Sequence, residues 1–209
     1  WLNTEISKAW QDRGAFPGVG SALEALGLRL GTAMCLDLRA QAAYGVNDDP
    51  WTVLDGILRG KKKPPSKTYG ADLETVRPLW ANLSEERRSL LKLLSRFDLS
   101  PKQTKRWFNE RDRARATARA VPDAEILANP YRVSEDDLGS AGELPVSIGT
   151  IDQGLMPDPT VAAKHPVPQP STVKSPADFR RARAGLVAVL RRAADDGDVT
   201  RPRDPGIGR

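Results

Sequence analysis

Phe16-Pro17-Gly18-Val19-Gly20-Ser21, running straight into Ala22-Leu23-Glu24-Ala25-Leu26, is the stretch that decides the fold: a turn built from proline and glycine feeds an apolar helical pattern. Glycine supplies the backbone freedom such a turn needs, and Ser21 suits the start of a helix. Leu23, Leu26, Leu30, Met34, Leu38 and Ala42 then recur at spacings of three and four. That period predicts one long buried helix from Ser21 toward Tyr44, with Gly27 and Gly31 as points of bending or close backbone approach.

Outward from this centre the chain reads as a series of short helices. Leu2 to Asp12 has the pattern of a helix capped by Asn3 or Thr4, with Ile6, Ala9 and Trp10 on one face, ended by Arg13-Gly14. Asp49-Pro50 opens another through Leu58. Arg59 to Lys67 holds Lys61-Lys62-Lys63-Pro64-Pro65, a basic loop stiffened by proline. Helical patterning resumes over 72–81. Ser84 then opens a helix whose buried stripe is Leu90, Leu91, Leu94 and Phe97, and Ser100-Pro101 caps one bearing Thr104, Trp107 and Phe108. A basic helix is expected over 110–120 and a short one over 124–128, with Asn129-Pro130-Tyr131 as a helix stop.

Residues 134–175 are acidic and rich in glycine and proline, and Pro166, Pro168 and Pro170 predict an extended, loosely packed, mobile strap. The last element runs from Ala177 to Ala194. Its expected buried face is Ala182, Leu186, Val189, Leu190 and Ala193, with Arg180, Arg181, Arg183, Arg191 and Arg192 around the rest. Arg201 to Arg209 reads as a frayed end. The expected fold is mainly all-α, divided into an N-terminal helical part (1–58), a basic helical part (59–133), the strap (134–175) and a C-terminal arginine-rich helix (176–209).

Composition narrows the function classes. With 209 residues, 39% hydrophobic and 28% charged, the chain is long enough for a real core, anchored by five Trp. The single Cys35 excludes an intrachain disulfide and a cysteine-framed zinc site, and points to a reducing, cytoplasmic setting. No apolar run approaches the roughly 20 residues of a membrane span, no signal-peptide pattern opens the chain, and no membrane partner is expected. A start at Trp1 rather than Met suggests a piece of something longer.

Charge is unevenly placed. Residues 59–119 carry 17 basic and 7 acidic side chains, whereas 120–172 carry 2 and 8. Such a middle segment attracts polyanions, because each Lys or Arg meeting a phosphate releases condensed counterions. A solvated basic face is the plainer alternative.

Catalytic signatures are not evident. There is no Gly-x-x-x-x-Gly-Lys-Ser/Thr loop, and no apolar strand precedes the Gly14, Gly18, Gly20 cluster. His165 is the only histidine and sits among prolines, without visible partners for a nucleophilic triad. Asp48-Asp49 and Asp136-Asp137 are adjacent acids, read as caps or turns before metal ligands. No enzyme activity, metal or cofactor is therefore assigned to this chain itself.

The turn Phe16-Pro17-Gly18-Val19-Gly20 followed by a helix resembles the hairpin of the helix-hairpin-helix DNA-binding family, in which a Pro-Gly-Val-Gly turn meets a phosphate through backbone N–H groups. Glycines let backbone approach the anion and the next helix presents its positive end. A purely structural turn between packed helices fits the same residues. Here Ser21-Ala22 stands where the family often has a basic residue. A second, degenerate hairpin lacking the glycines lies at Leu94 to Thr104, with Lys102, Lys105, Arg106 and Trp107 placed for phosphate contact and base stacking, or, for Trp107, for the core.

The order of that hairpin, then Ile126-Leu127-Ala128-Asn129-Pro130-Tyr131-Arg132-Val133, Ile151-Asp152, and the arginine-led stretch Arg180 to Gly197, resembles the region preceding the motor in RecD-like superfamily 1 helicases. The resemblance covers about residues 85–200, and departs from the family's Gly-His after the last helix at Gly197-Asp198. It implies a non-catalytic DNA-binding accessory region whose partners are single-stranded or tailed duplex DNA and its own downstream motor, where ATP and Mg are expected. The candidate DNA-contacting residues are Gly18, Val19, Gly20, Lys61, Lys62, Lys63, Arg96, Lys102, Lys105, Arg106 and Trp107. The competing expectation is a protein-interaction scaffold that docks on a motor domain or an acidic partner.

Overall fold

A computed structural model describes residues 14–197; the expected helix over 2–12 and the expected frayed end over 201–209 lie outside the described residues. The fold is all-α. Twelve α-helices and one 3-10 turn are joined by loops, with only two isolated β-bridges, Thr117 to Asp137 and Ser140 to Glu143, among the described residues.

The turn at 15–18 leads into α1 (Val19–Leu26), which ends at Gly27 with φ +117°. The Gly27 N–H donates to the Glu24 carbonyl and the Leu28 N–H to the Leu23 carbonyl, both at 3.0 Å, the paired bonds of a Schellman stop. This overturns the single long helix expected from Ser21 to Tyr44. A left-handed glycine reverses the chain, and α2 (Gly31–Ala40) folds back against α1. A Cβ added at Gly31 would meet the Gly20 carbonyl oxygen at 2.6 Å, so a glycine here permits the close crossing. Leu30, expected in the buried stripe, is 47% exposed because it lies in the connection.

Asp49 Oδ1 accepts the Trp51 N–H at 2.9 Å and starts α3 (Trp51–Leu58). The basic loop follows, then a 3-10 turn (Lys67–Tyr69) and α4 (Gly70–Asn82). Trp51 of α3 stacks on Trp80 of α4 with ring centroids 5.8 Å apart and planes 10° from parallel. Ser84 caps α5 (Glu85–Leu94), and Ser100 with Gln103 forms a reciprocal capping box on α6 (Pro101–Phe108). Between α5 and α6 runs the second turn, 95–100. It packs against the first: the Gly18 N–H donates to the Ser95 carbonyl at 3.0 Å, and the Ser21 hydroxyl to the Leu99 carbonyl at 2.8 Å. α1 and α6 share the most extensive helix-helix contact in the described chain.

A Cβ built on Gly18 would fall 2.1 Å from the Phe97 carbonyl oxygen. Gly18→Ala is therefore expected to force the two turns apart and to cost about 1–3 kcal/mol or more of stability. Thermal or urea unfolding checks this; an unchanged midpoint would contradict the close seating of one turn on the other.

α7 (Glu110–Ala116) ends four residues before the expected 120, because Thr117 turns extended to pair with Asp137. α8 (Asp123–Ala128) and α9 (Arg132–Glu135) bracket the Asn129-Pro130 stop, where Tyr131 is wholly buried. The segment 134–175 is not the loose strap expected. It contains α10 (Ile148–Leu155), capped by Ser147, and α11 (Pro159–Lys164), capped by Asp158, and it inserts Val146, Ile151, Leu155 and Val161 inward. Those two caps and the spaced apolar residues outweigh the high glycine and proline content.

α12 (Phe179–Asp195) begins at Asp178. Its orientation departs from the expected one at the leucines, while Ala193 is buried as expected. Ala184 and Ala193 are buried, while Leu186, Leu190 and Phe179 are 46%, 48% and 77% exposed. Arginines face the body instead: Arg181 pairs with Asp152 at 2.8 Å, and Arg191 donates to the carbonyls of Ser134 at 2.9 Å and of Glu135, at the end of α9. Long arginine stems can cover a body rich in free carbonyl oxygens that leucine cannot satisfy. One contiguous hydrophobic core draws on residues from Val19 to Ala184, so the four sequence segments share it. No helix among the described residues is long and apolar enough to cross a membrane.

Candidate nucleic-acid interface

The basic segment 59–119 and the acidic segment 120–172 meet in the fold, and arginines and lysines go to different places. Arg106 pairs with Asp137 at 2.8 Å, Arg113 with Asp123 at 2.6 Å and Arg87 with the same Asp123 at 2.8 Å. Arg119 bridges Glu125 at 2.6 Å and Asp136 at 2.7 Å, and its hydrogen bond holds the Glu125 carboxyl below the usual carboxylate range. Planar guanidinium forks suit such multiple acceptors, whereas lysine ammonium groups are strongly hydrated. Lys61, Lys62, Lys63, Lys67, Lys102 and Lys105 accordingly remain exposed. The segment's large positive excess is thus partly neutralised inside the protein, and what solvent meets is these lysines together with Arg59, Arg111, Arg115 and part of Arg119.

The candidate residues divide accordingly. Gly18, Val19 and Gly20 are buried, and the Gly18 N–H that the hairpin reading aims at a phosphate is bonded to Ser95 instead. Trp107 has no exposure, so its role is in the core and not in base stacking. Arg106 is 5% exposed and ion-paired, and Arg96 is 4% exposed. The exposed candidates are Lys61, Lys62 and Lys63 on the loop after α3, and Lys102 and Lys105 on the outer side of α6.

Lys102 and Lys105, one turn apart, line a groove of about 450 Å³ with Arg115 of α7, across from residues 139–141. Arg115 is 81% exposed at its side chain and lies 3.8 Å from Asp112, a long and weak pairing. Arg111 is exposed on the same short helix. Sequence reasoning did not single out Arg111 and Arg115. Their spacing of four on α7 was the available signal.

The N-terminal end of α6, the second hairpin's natural anion position, is already covered. The Ser100 hydroxyl donates to Glu143 Oε1, Gln103 Nε2 donates to the Leu144 carbonyl at 3.2 Å, and Arg106 reaches the Ser140 hydroxyl at 3.0 Å. A carboxylate of the chain itself stands where a phosphate would approach.

The other residues that sequence reasoning weighed for chemistry have structural partners. Asp49 caps α3, Asp48 accepts the Gly45 N–H at 2.8 Å, Asp136 and Asp137 hold arginines, and His165 Nε2 bonds the Asn47 carbonyl at 2.8 Å. No group of three or more His, Cys, Asp or Glu side chains suited to a metal occurs among the described residues. Cys35 is 6% exposed, and burial pushes its thiol up to about 11. At pH 8 it stays protonated, so a thiol reagent is expected to modify the native chain far more slowly than the urea-unfolded chain. Equal rates would contradict its packing.

No protein-family model matches this chain, and comparison with curated proteins and with solved structures returns no match.

Proposed function

We propose that this chain is a non-catalytic DNA-binding accessory region, of the kind that precedes the motor in RecD-like helicases, and that it holds the DNA backbone without strong sequence preference. The observation that carries the reading is the set of exposed cations Lys102, Lys105 and Arg115 lining one groove between α6 and α7, with Arg111 exposed one turn before Arg115 on α7. It adjoins the second of two turns that pack on one another, the first leading into α1 and the second joining α5 to α6. The Lys61 to Lys63 loop supplies further exposed charge. Contacts of this type are made to phosphates and carry no base information. ATP and Mg belong, on this reading, to a motor outside the chain.

Fluorescence-anisotropy titration at low salt tests the proposal. Oligothymidine, mixed-sequence single strands and tailed duplexes are expected to bind with affinities that differ little with sequence. Absence of saturable binding to all of them would sink it. Glu143→Gln, which removes the carboxylate at the start of α6, is expected to tighten binding a fewfold, and weaker binding by this variant would count against the groove as the site.

A second reading, a scaffold that docks on a motor or other partner, is favoured by the exposed Phe179, Leu186 and Leu190 on α12. Its mark is binding to a protein partner without DNA, lost on Leu186→Glu with Leu190→Glu.

A further inference from the structure

Beneath the proline-rich stretch 166–171 lies a pocket of about 460 Å³, on the volume scale of small-molecule sites. Its apolar wall comes from Phe16, Leu93 and the prolines at 166, 168 and 170, and Trp51 contributes at one side. Three cations, Lys92, Arg96 and Lys164, line it; the one carboxylate in the lining is Asp49, whose Oδ1 already accepts the Trp51 N–H, and Lys164 also pairs with Asp48 at 3.4 Å at the exposed edge.

Arg96 makes the pocket unusual. It is 4% exposed, yet its two hydrogen bonds among the described residues go to neutral carbonyls, those of Gly154 at 3.3 Å and His165 at 2.8 Å. Among the described residues, the other arginines buried to this degree, Arg106 and Arg113, each have a carboxylate within 2.8 Å. Burial pulls the Arg96 guanidinium down to about 10, with Asp49 opposing, and it remains charged at neutral pH. A buried cation with no carboxylate in direct hydrogen-bond contact is costly unless something anionic compensates it. The Phe16 ring lies 5.3 Å from that guanidinium and meets His165 edge-on, so a flat apolar surface adjoins the charge.

We propose that this pocket binds a nucleoside phosphomonoester, with its ring against the phenylalanine and proline wall and its phosphate at Lys92, Arg96 and Lys164. A phosphate matches three cations that the two nearby acids, Asp48 and Asp49, leave with a net positive charge, and guanidinium with ammonium groups is a suitable set of phosphate donors. A flat ring matches the wall. The same chemistry arises from a free mononucleotide and from the phosphorylated end of a strand. The proposal does not rest on the DNA-binding reading, since the pocket and the α6–α7 groove share no lining residue.

Calorimetric titration of the intact chain provides the test, with thymidine monophosphate and adenosine monophosphate as probes and thymidine and inorganic phosphate as half-ligands. The monophosphates are expected to bind about tenfold or more tighter than either half, as loss of a charge-assisted contact or of the ring requires. Lys92→Ala and Lys164→Ala, both changes of partly or largely exposed side chains, are each expected to weaken the monophosphate severalfold. Arg96→Lys does so as well, with circular dichroism confirming that it folds. Lys102→Glu with Lys105→Glu leaves monophosphate binding unchanged while weakening DNA, which separates the two proposals. Displacement of thymidine monophosphate by a 5′-phosphorylated oligonucleotide, and not by its 5′-hydroxyl form, assigns the pocket to strand ends; no displacement assigns it to the free nucleotide. No saturable binding of either monophosphate, or equal binding of thymidine and its monophosphate, overturns the proposal.

Discussion

Asp137→Ala is expected to remove about 3–5 kcal/mol of folding stability, the cost of leaving a buried partner charge uncompensated. The Asp137 side chain has no exposure and that of Arg106 only 5%. Its carboxylate accepts from Arg106 at 2.8 Å, from the Val146 N–H at 2.8 Å and from the Gly139 N–H at 3.1 Å. The substitution therefore strands a guanidinium and releases two backbone donors, Gly139 and Val146, that fix the two ends of the 138–146 loop. Urea unfolding reads the effect as a lower midpoint at unchanged slope. Arg59→Ala, which breaks a half-exposed pair with Asp55 at 2.7 Å, is the contrast and is expected to cost less than about 1 kcal/mol. Similar losses in the two variants would show that the acidic segment does not organise the basic one.

Lys102→Glu with Lys105→Glu is expected to lower DNA affinity by about tenfold or more at low salt, because two phosphate-facing charges are reversed. Stability should stay within about 0.5 kcal/mol, since both side chains are exposed surface groups. Arg29→Glu is the control: Arg29 is exposed, but it is paired with Asp72 at 2.8 Å on the α1–α2 side of the chain. Arg106 is left out of the reversal, although it follows Lys105 directly, because reversing it would report unfolding. Equal losses in the double variant and the control would mean a diffuse charge effect in place of a site.

That contrast between Lys105 and Arg106 shows where sequence reading stops. Consecutive helical residues point about 100° apart, so charge counting places both on a basic helix without saying which turns inward. Only the fold brings Asp137, 31 residues on, beneath Arg106. Helix starts were legible at Ser84, Ser100 and Asp49 with Pro50, because capping is local chemistry, but not at Ser147 and Asp158, whose glycine- and proline-rich surroundings read as a strap. The break at Gly27 was not legible as a break, since the leucine period continues through it and a glycine mid-pattern signals equally a bend or a close approach.

The C-terminal helix carries the same lesson in reverse. Its amphipathic period was visible, yet periodicity does not say which face meets the body. The carbonyls of Ser134 and Glu135 at the end of α9 accept Arg191, and the leucines turn outward. Of the candidate site, the exposed lysines were readable from charge and spacing. The burial of Gly18 to Gly20 was not, because a glycine that lets a phosphate approach equally lets the Phe97 carbonyl approach.

The most direct test of the central claim is the affinity of the intact chain for single-stranded oligothymidine as salt is raised from low to physiological levels. Engagement of Lys102, Lys105, Arg111 and Arg115 by phosphates predicts a linear fall of log affinity with log salt, of slope about −3 at roughly 0.7 per contact on a single strand. The double reversal should flatten that slope to about half. Saturable binding whose affinity does not change with salt, or no binding at any salt, would contradict the account.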